Sequence, residues 1–385
     1  MRILTALTYY RPHYSGLTIY AERLARALVQ RGHPVTVLTS RYAADLLEDE
    51  LCDGVHVTRL PVGLKISKGV LMPSMLWRAW KAVQQAEIVH LHLPQLDAAL
   101  IALYARLQRK PVVLTYHCDL LLPRGFINAL ANLVSNITNH ISAILSHAIV
   151  TNTQDYAESS PFLRGYIKKV QAIYVPVELT PVSPADLDAL RQKARIQPGQ
   201  RIISMVARLA TEKGVEYLAH ALPGVLARHP QARVLYAGQY LNVWGEQAYA
   251  RRLAPLIEQL GERWQFLGII SDVEKSALYH LSDVVTVPAV NSTESIGISQ
   301  VEAMTCGTPV VASDLPGVRL PVQLTRMGLI VPPGNADALA QAIITILDHP
   351  EQFQGDSQAL ARQFASDTIA AHYETLFHRL SRHDG

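Results

Sequence analysis

Two glutamates separated by seven residues, Glu294 and Glu302, lie in the stretch of this 385-residue chain that is richest in chemistry. The run from Val287 to Ser313 reads as strand, loop, helix, turn and strand. Asp283 to Ala289 is apolar enough to be a strand buried in a parallel sheet, and Gly297 to Cys306 has helical spacing, with Ile298, Val301 and Met304 on one side. Gly307-Thr-Pro closes that helix and opens the strand Val310-Val-Ala. Glu294 therefore falls in the loop at a strand's carboxyl end, beside the unpaired N–H groups of a helix start. Phosphates gather at helix starts, and ligands of open α/β sheets gather at strand carboxyl ends. An ionised carboxylate only accepts hydrogen bonds, so one such group can hold sugar hydroxyls and a second the vicinal hydroxyls of a ribose.

The glutamate pair, followed by Ala303-Met-Thr-Cys-Gly-Thr-Pro-Val-Val311, resembles the donor-site signature of the retaining nucleotide-sugar glycosyltransferases of family 4, which have the GT-B fold. The family usually has Ser after the strand's Pro and Phe before the Gly; here these are Ala289 and Ile296. The resemblance implies that Glu294 meets the donor sugar and Glu302 the ribose, with Ser295, Ile296, Gly297 and Ile298 lining the donor between them. It also implies roles for Arg208 and Lys213-Gly214, where the family carries two cations on the donor diphosphate. Two fixed positive groups at a strand end suit a leaving diphosphate whose charge grows during transfer. His117, at the end of the strand that contains Thr115, occupies the position of a family histidine that contacts the donor sugar at the cleft between domains. Gly16, in Tyr10-Arg-Pro-His-Tyr-Ser-Gly16, matches one of the two glycines the family has at the first strand–helix turn, where backbone approaches a pyrophosphate.

These residues need a scaffold, and the chain supplies one twice. Strands are expected at 2–8, 34–39, 56–60, 88–93, 112–117, 147–152 and 170–175, alternating with helices as a parallel sheet requires. A second α/β series follows at 202–207, 232–237, 265–267, 284–287, 310–312 and 329–331. The proline-rich segment Pro176 to Pro184 reads as a linker. The expected architecture is thus two Rossmann-like, doubly wound domains facing across a cleft. They span 1–180, on the acceptor side, and 181–365, on the donor side, and by the resemblance a final helix at about 366–385 returns to the first. Asp186-Leu-Asp188 is helix-start chemistry capped by Ser183, not a metal motif.

Composition sets the boundaries. With 49% hydrophobic and 17% charged residues the chain is well supplied with core, and a net charge of +3 gives no footing for nucleic acid. Cys52, Cys118 and Cys306 lie far apart without metal or redox spacing, and Met1-Arg-Ile-Leu opens a strand, not a signal peptide, so a cytoplasmic setting is expected. Phe126 to Val150 has no charged residue, but its asparagines exclude a membrane span. Its stripe Ile127, Leu130, Val134, Ile137, Ile141 and Ile144 reads as the core-facing side of a helix.

The resemblance implies transfer of a hexose from a UDP- or GDP-linked donor to an acceptor hydroxyl, with retention and with no metal or other cofactor. The alternatives are an epimerase of the same fold, which would act without an acceptor, and a binding protein without turnover. For the acceptor the sequence offers the segment Arg59 to Lys81, which has no acidic residue and carries Lys65, Lys68, Arg78, Lys81, Trp77 and Trp80. It is either a packed helix with a solvated basic face or a surface for anionic membrane. The second reading points to a glycan or lipid-linked acceptor reached at the inner face of a membrane.

Overall fold

The computed structural model describes residues 1–66, 69–119 and 126–383. The chain divides into two compact units, Met1–Pro176 with Phe364–Gly385, and Val177–Gln363.

The first unit carries strands β1 (Ile3–Ala6), β2 (Val35–Arg41), β3 (Asp49–Cys52), β4 (Val55–Pro61), β5 (Leu64–Ile66), β6 (Gly69–Leu71), β7 (Ile88–Leu93), β8 (Val112–Tyr116), β9 (Ala148–Thr151) and β10 (Val170–Ala172). Its main sheet runs β10-β9-β8-β7-β1-β2-β4-β3, parallel throughout except for β3, which runs antiparallel to β4. Every residue of β7 and β8 is buried, as expected of parallel strands covered on both faces. The order reverses between β1 and β7, so the loops leaving those two strands diverge and open a crevice at their carboxyl ends.

Helices α1 (Gly16–Gln30), α2 (Met75–Gln85), α3 (Ala98–Leu107), α4 (Phe126–Leu145), α5 (Gln154–Ser159) and α6 (Pro161–Arg164) flank the sheet. The C-terminal helix, Ser366–His383, packs on α1. Arg31 fastens it through Asp367 at 2.8 Å and Glu374 at 2.6 Å.

Two features depart from the sequence reading. The end of β4 and the β5–β6 hairpin divide what looks like one basic segment, and Arg59 is buried in β4 against Glu50 at 2.7 Å, away from any surface. Lys68 lies outside the described residues. Helix α4 is turned the opposite way from expectation. Ser135, Asn139, Ser142 and Ser146 face inward, while Leu130, Val134, Ile137, Ile141 and Ile144 are exposed; the side chain of Ile127 lies outside the described residues. The buried side of α3 is also lined with small residues, Ala98, Ala102 and Ala105, so the two helices pack through small residues and the bulky stripe is left outside.

The second unit repeats the design with β11 (Arg201–Val206), β12 (Ala232–Ala237), β13 (Trp264–Gly268), β14 (Val284–Val287), β15 (Val310–Ser313) and β16 (Gly328–Val331). Its sheet is wholly parallel in the order β13-β12-β11-β14-β15-β16, reversing between β11 and β14. Around it lie α7 (Pro184–Lys193), α8 (Val215–Arg228), α9 (Gln247–Leu260), α10 (Asp272–Leu281), α11 (Ile298–Thr305), α12 (Leu320–Thr325), α13 (Ala336–Asp348) and α14 (Ser357–Phe364). Ser183 and Asp186 form a reciprocal cap on α7. Among the described residues no helix is long and apolar enough to cross a membrane.

Candidate functional site

The site in the second unit is made where two loops leave the reversal point of its sheet. After β11 the chain passes through Arg208, a single turn at Thr211–Lys213, and Gly214 before entering α8. After β14 it passes through Pro288 to Gly297 before entering α11. Gly214 has φ 68°, and a Cβ there would lie 2.0 Å from the Pro288 carbonyl oxygen. No side chain fits that gap, so the glycine lets the two backbones touch. The amide of Val290 donates to the Glu212 carbonyl at 3.1 Å and stitches the same two loops. Gly238 plays the corresponding part beneath, its absent Cβ falling 2.1 Å from the Ala207 carbonyl oxygen.

That backbone contact brings Lys213 and Glu294 together. Lys213 Nζ forms an ion pair with Glu294 Oε2, and Glu294 Oε1 accepts from the Gly297 amide at 3.0 Å. Gly297, at φ 70°, is the residue before α11, so Glu294 caps the positive end of that helix. Arg208 sits on the same loop as Lys213 and pairs with Glu212, a partner the sequence reading did not assign. Ser295 and Ile296 are buried between Glu294 and the helix, and Ile298 is its first residue. Gln300, one turn in, holds the loop by donating to the carbonyls of Ile296 and, at 2.8 Å, Val318. The arrangement places two cations, two carboxylates and a helix N-terminus within one pair of loops. An incoming polyanion competes with the carboxylates for the cations, and Glu294, once displaced, is a free acceptor for hydroxyl groups.

Glu302 faces another way. It is 3% exposed, and Tyr279 Oη donates to its Oε2 at 2.9 Å while Lys275 Nζ donates to its Oε1 at 3.4 Å. Both partners come from α10, a helix that carried no signal of its own in the sequence. Burial, and then the Glu302 charge, push the neighbouring Cys306 thiol up to about 12.

In the first unit Gly16 opens α1, and the Ser15 hydroxyl caps the helix by accepting from the Thr18 amide at 3.2 Å. His117 follows β8 directly. It belongs to a buried polar chain that was not foreseen: His117 Nε2 and His92 Nδ1 are 2.9 Å apart, and the Tyr20 ring stands edge-on to His117. On the other side of His92, His90 Nε2 meets Thr115 Oγ1 at 2.7 Å, Thr115 meets the Tyr373 hydroxyl at 2.7 Å, and Tyr373 meets Tyr20 at 2.7 Å. Burial pushes His90 and His117 down to about 3 and His92 well below its ordinary value, so all three rings are neutral near pH 7. The available signal was the alternation His90-Leu-His92 inside an apolar strand, which puts both rings on one face.

A second unforeseen pair leaves β7 at the reversal point. Gln95 is buried with both amide atoms unpartnered among the described residues, and burial pushes the Asp97 carboxyl up to about 6. Among the described residues His33, Glu374 and His378 could converge on a metal ion, but Arg31 donates to Glu374 and opposes a cation there.

Comparison with known proteins agrees with both units. The family model described as Glycosyltransferase Family 4 matches residues 14–180, and the one described as Glycosyl transferases group 1 matches residues 186–362. An uncharacterized glycosyltransferase of Methanocaldococcus jannaschii is 28% identical over 372 residues, covering 90% of this chain and 89% of its own. The phosphatidyl-myo-inositol mannosyltransferase of Mycobacterium tuberculosis is 25% identical over 380 residues, covering 94% and 93%. Among solved structures, Anabaena HepE in complex with UDP and glucose superposes with a TM-score of 0.76 at 22% identity, over 99% of this chain and all of that one.

Proposed function

The chain belongs to glycosyltransferase family 4 and has the GT-B fold, and from that premise we propose that it moves a hexose from a UDP- or GDP-linked donor to an acceptor hydroxyl with retention of configuration. The observation that carries the reading is the Lys213–Glu294 pair at the reversal point of the second sheet, against the N-terminus of α11. On donor binding the diphosphate takes Lys213, Arg208 and the first amides of α11, and Glu294 turns from Lys213 to the sugar hydroxyls. The swap trades the cations' carboxylate partners for phosphate oxygens and leaves Glu294 to accept from hydroxyl groups. As the bond to the anomeric carbon breaks, charge grows on the departing phosphate, where the cations and helix amides already point. In this reading the positive field comes from the protein, and no metal or other cofactor is required.

Retention fits a front-face reaction in which the departing phosphate helps deprotonate the acceptor. A double displacement needs a carboxylate free to attack. Glu294 is taken by hydroxyl groups in this scheme, and Glu302 is buried against Tyr279 and Lys275. Glu302 receives the ribose if Lys275 yields its oxygen. His117, a neutral hydrogen-bonding group with Nε2 2.9 Å from His92 Nδ1, is given the donor sugar by the family resemblance alone. The first unit takes the acceptor and the second the donor. We place the acceptor on a lipid or lipid-linked glycan at the inner face of a membrane, with support from the mannosyltransferase relative, whose name specifies a phosphatidyl-myo-inositol lipid.

The test is nucleotide release from a panel of UDP- and GDP-sugars, with and without a lipid extract, for the parent chain and Glu294→Ala. Release from one donor, raised by lipid and abolished in the variant, supports the reading. Equal release by the variant removes Glu294 from the site, and sugar turnover without nucleotide release indicates an epimerase.

A further inference from the structure

Helix α4 has no charged residue in its 20 positions, yet the side that carries Leu130, Leu133, Val134, Ile137, Ile141 and Ile144 is exposed. The exposed stripe continues across the neighbouring helices. Leu103 lines an apolar groove with Ile141 and Ile144, and Leu107, Trp77 and Trp80 are exposed on α3 and α2. Trp80 stands edge-on to Tyr104 of α3, which ties the two helices together. Large apolar side chains exposed together on three neighbouring helices of one unit mark an interaction surface, not ordinary surface scatter.

Charge identifies the occupant. No acidic residue occurs anywhere in α2, α3 or α4, while Arg78, Lys81, Arg106 and Arg109 are all exposed on α2, α3 and the turn that follows. A second copy meeting this face across a twofold axis would set one basic rim against another. An anionic lipid surface satisfies both parts at once, accepting the apolar stripe among its acyl chains and the guanidinium and ammonium groups among its headgroups. Lys169 is not part of that rim, because its ammonium caps the end of α4 on the carbonyls of Ala143, Ile144 and Ser146 at 2.8–3.0 Å. This cap holds the helix end closed without placing a charge on the exposed stripe.

We propose that the α2–α3–α4 face of the first unit lies in the interface of an anionic bilayer, with α4 parallel to the membrane plane. The lipid-acceptor reading supplies its purpose, whereas the face itself stands on exposure and charge.

The experiment is co-sedimentation of the full chain with vesicles of phosphatidylglycerol and phosphatidylcholine, and of phosphatidylcholine alone. Ile137→Ser/Ile141→Ser/Ile144→Ser should weaken binding to the mixed vesicles by on the order of a hundredfold. Its thermal unfolding temperature should fall only modestly, since the three side chains are 41–65% exposed. Arg78→Glu/Lys81→Glu should abolish the preference for the anionic vesicles. Glu294→Ala should bind as the parent does. Parent-like binding by the triple variant overturns the proposal, and so does a parent that fails to bind vesicles while sedimenting as a dimer dispersed by the same substitutions. Vesicle binding by a chain that glycosylates only soluble acceptors supports the face and overturns the lipid acceptor. Glycosylation of detergent-dispersed lipid without vesicle binding does the reverse.

Discussion

Replacing Gly214 by alanine tests whether the contact between the loops after β11 and β14 creates the proposed site. The new methyl would start 2.0 Å from the Pro288 carbonyl oxygen, 3.1 Å from its carbon and 3.2 Å from Val290 Cγ1. Relieving the first overlap requires the loops to part by about 1 Å, which overpacking studies rate at about 1–3 kcal/mol. The same movement stretches the 3.1 Å bond from the Val290 amide to the Glu212 carbonyl beyond hydrogen-bonding length, for about another 1 kcal/mol. Holding alanine at φ 68° adds about 1–2 kcal/mol. The expected destabilisation of the second unit is therefore about 3–6 kcal/mol. Because Lys213 precedes Gly214 and Glu294 lies on the displaced loop, turnover should fall by about a hundredfold even where the unit remains folded. Gly199→Ala is the control: Gly199 has a similar φ of 79°, but a Cβ there would meet nothing within 4 Å. It carries the conformational strain without the collision, and should cost about 1–2 kcal/mol with activity intact. Urea unfolding followed by amide exchange in β11 and β14, with nucleotide release as the functional readout, separates the two variants. If Gly214→Ala behaves like Gly199→Ala, the two loops do not depend on that contact.

Two further expectations concern the buried polar chain of the first unit. Tyr373→Phe removes a hydroxyl that meets both Tyr20 and Thr115 at 2.7 Å, leaving buried groups short of a partner. It should destabilise that unit by about 1–3 kcal/mol and release the C-terminal helix, read as faster amide exchange in 366–383, while amide exchange in the second unit's sheet is unchanged. Acid should act on the same place. His90, His92 and His117 are neutral when folded but take up protons below their ordinary value of 6.5 when unfolded, so their stabilising contribution is lost as pH falls below about 6.5 toward 3. Asp97, raised to about 6, acts in the opposite sense between about 4 and 6. Near pH 5 the unfolded unit then holds about two more protons than the folded one, a loss of about 3 kcal/mol per pH unit. Amide exchange in β7 and β8 measured from pH 7 to 4.5 checks it, and acid sensitivity confined to the second unit would refute the assignment.

The sequence speaks clearly where candidate residues lie close together in the chain. Glu294 and Gly297 sit in one strand–loop–helix turn and Lys213-Gly214 in another, so short motifs that resemble the family's singled out both loops, whereas Gln300 carried no such signal. Their meeting depends on the strand order that sets β11 beside β14, and only then does a glycine whose Cβ would strike Pro288 acquire its meaning. The histidine chain is less legible because its members come from 20, 90, 92, 115, 117 and 373, and no local pattern ties a tyrosine in the final helix to a threonine in β8. Helix α4 shows a third kind of limit. The period of Leu130, Val134, Ile137, Ile141 and Ile144 fixes one stripe on one face, and the usual direction of burial then assigns that stripe to the core. Periodicity, however, encodes the angle between faces and not which face meets the protein. Here the small residues Ser135, Asn139, Ser142 and Ala143 allow α4 to sit close against its own unit, so the inward face is the polar one.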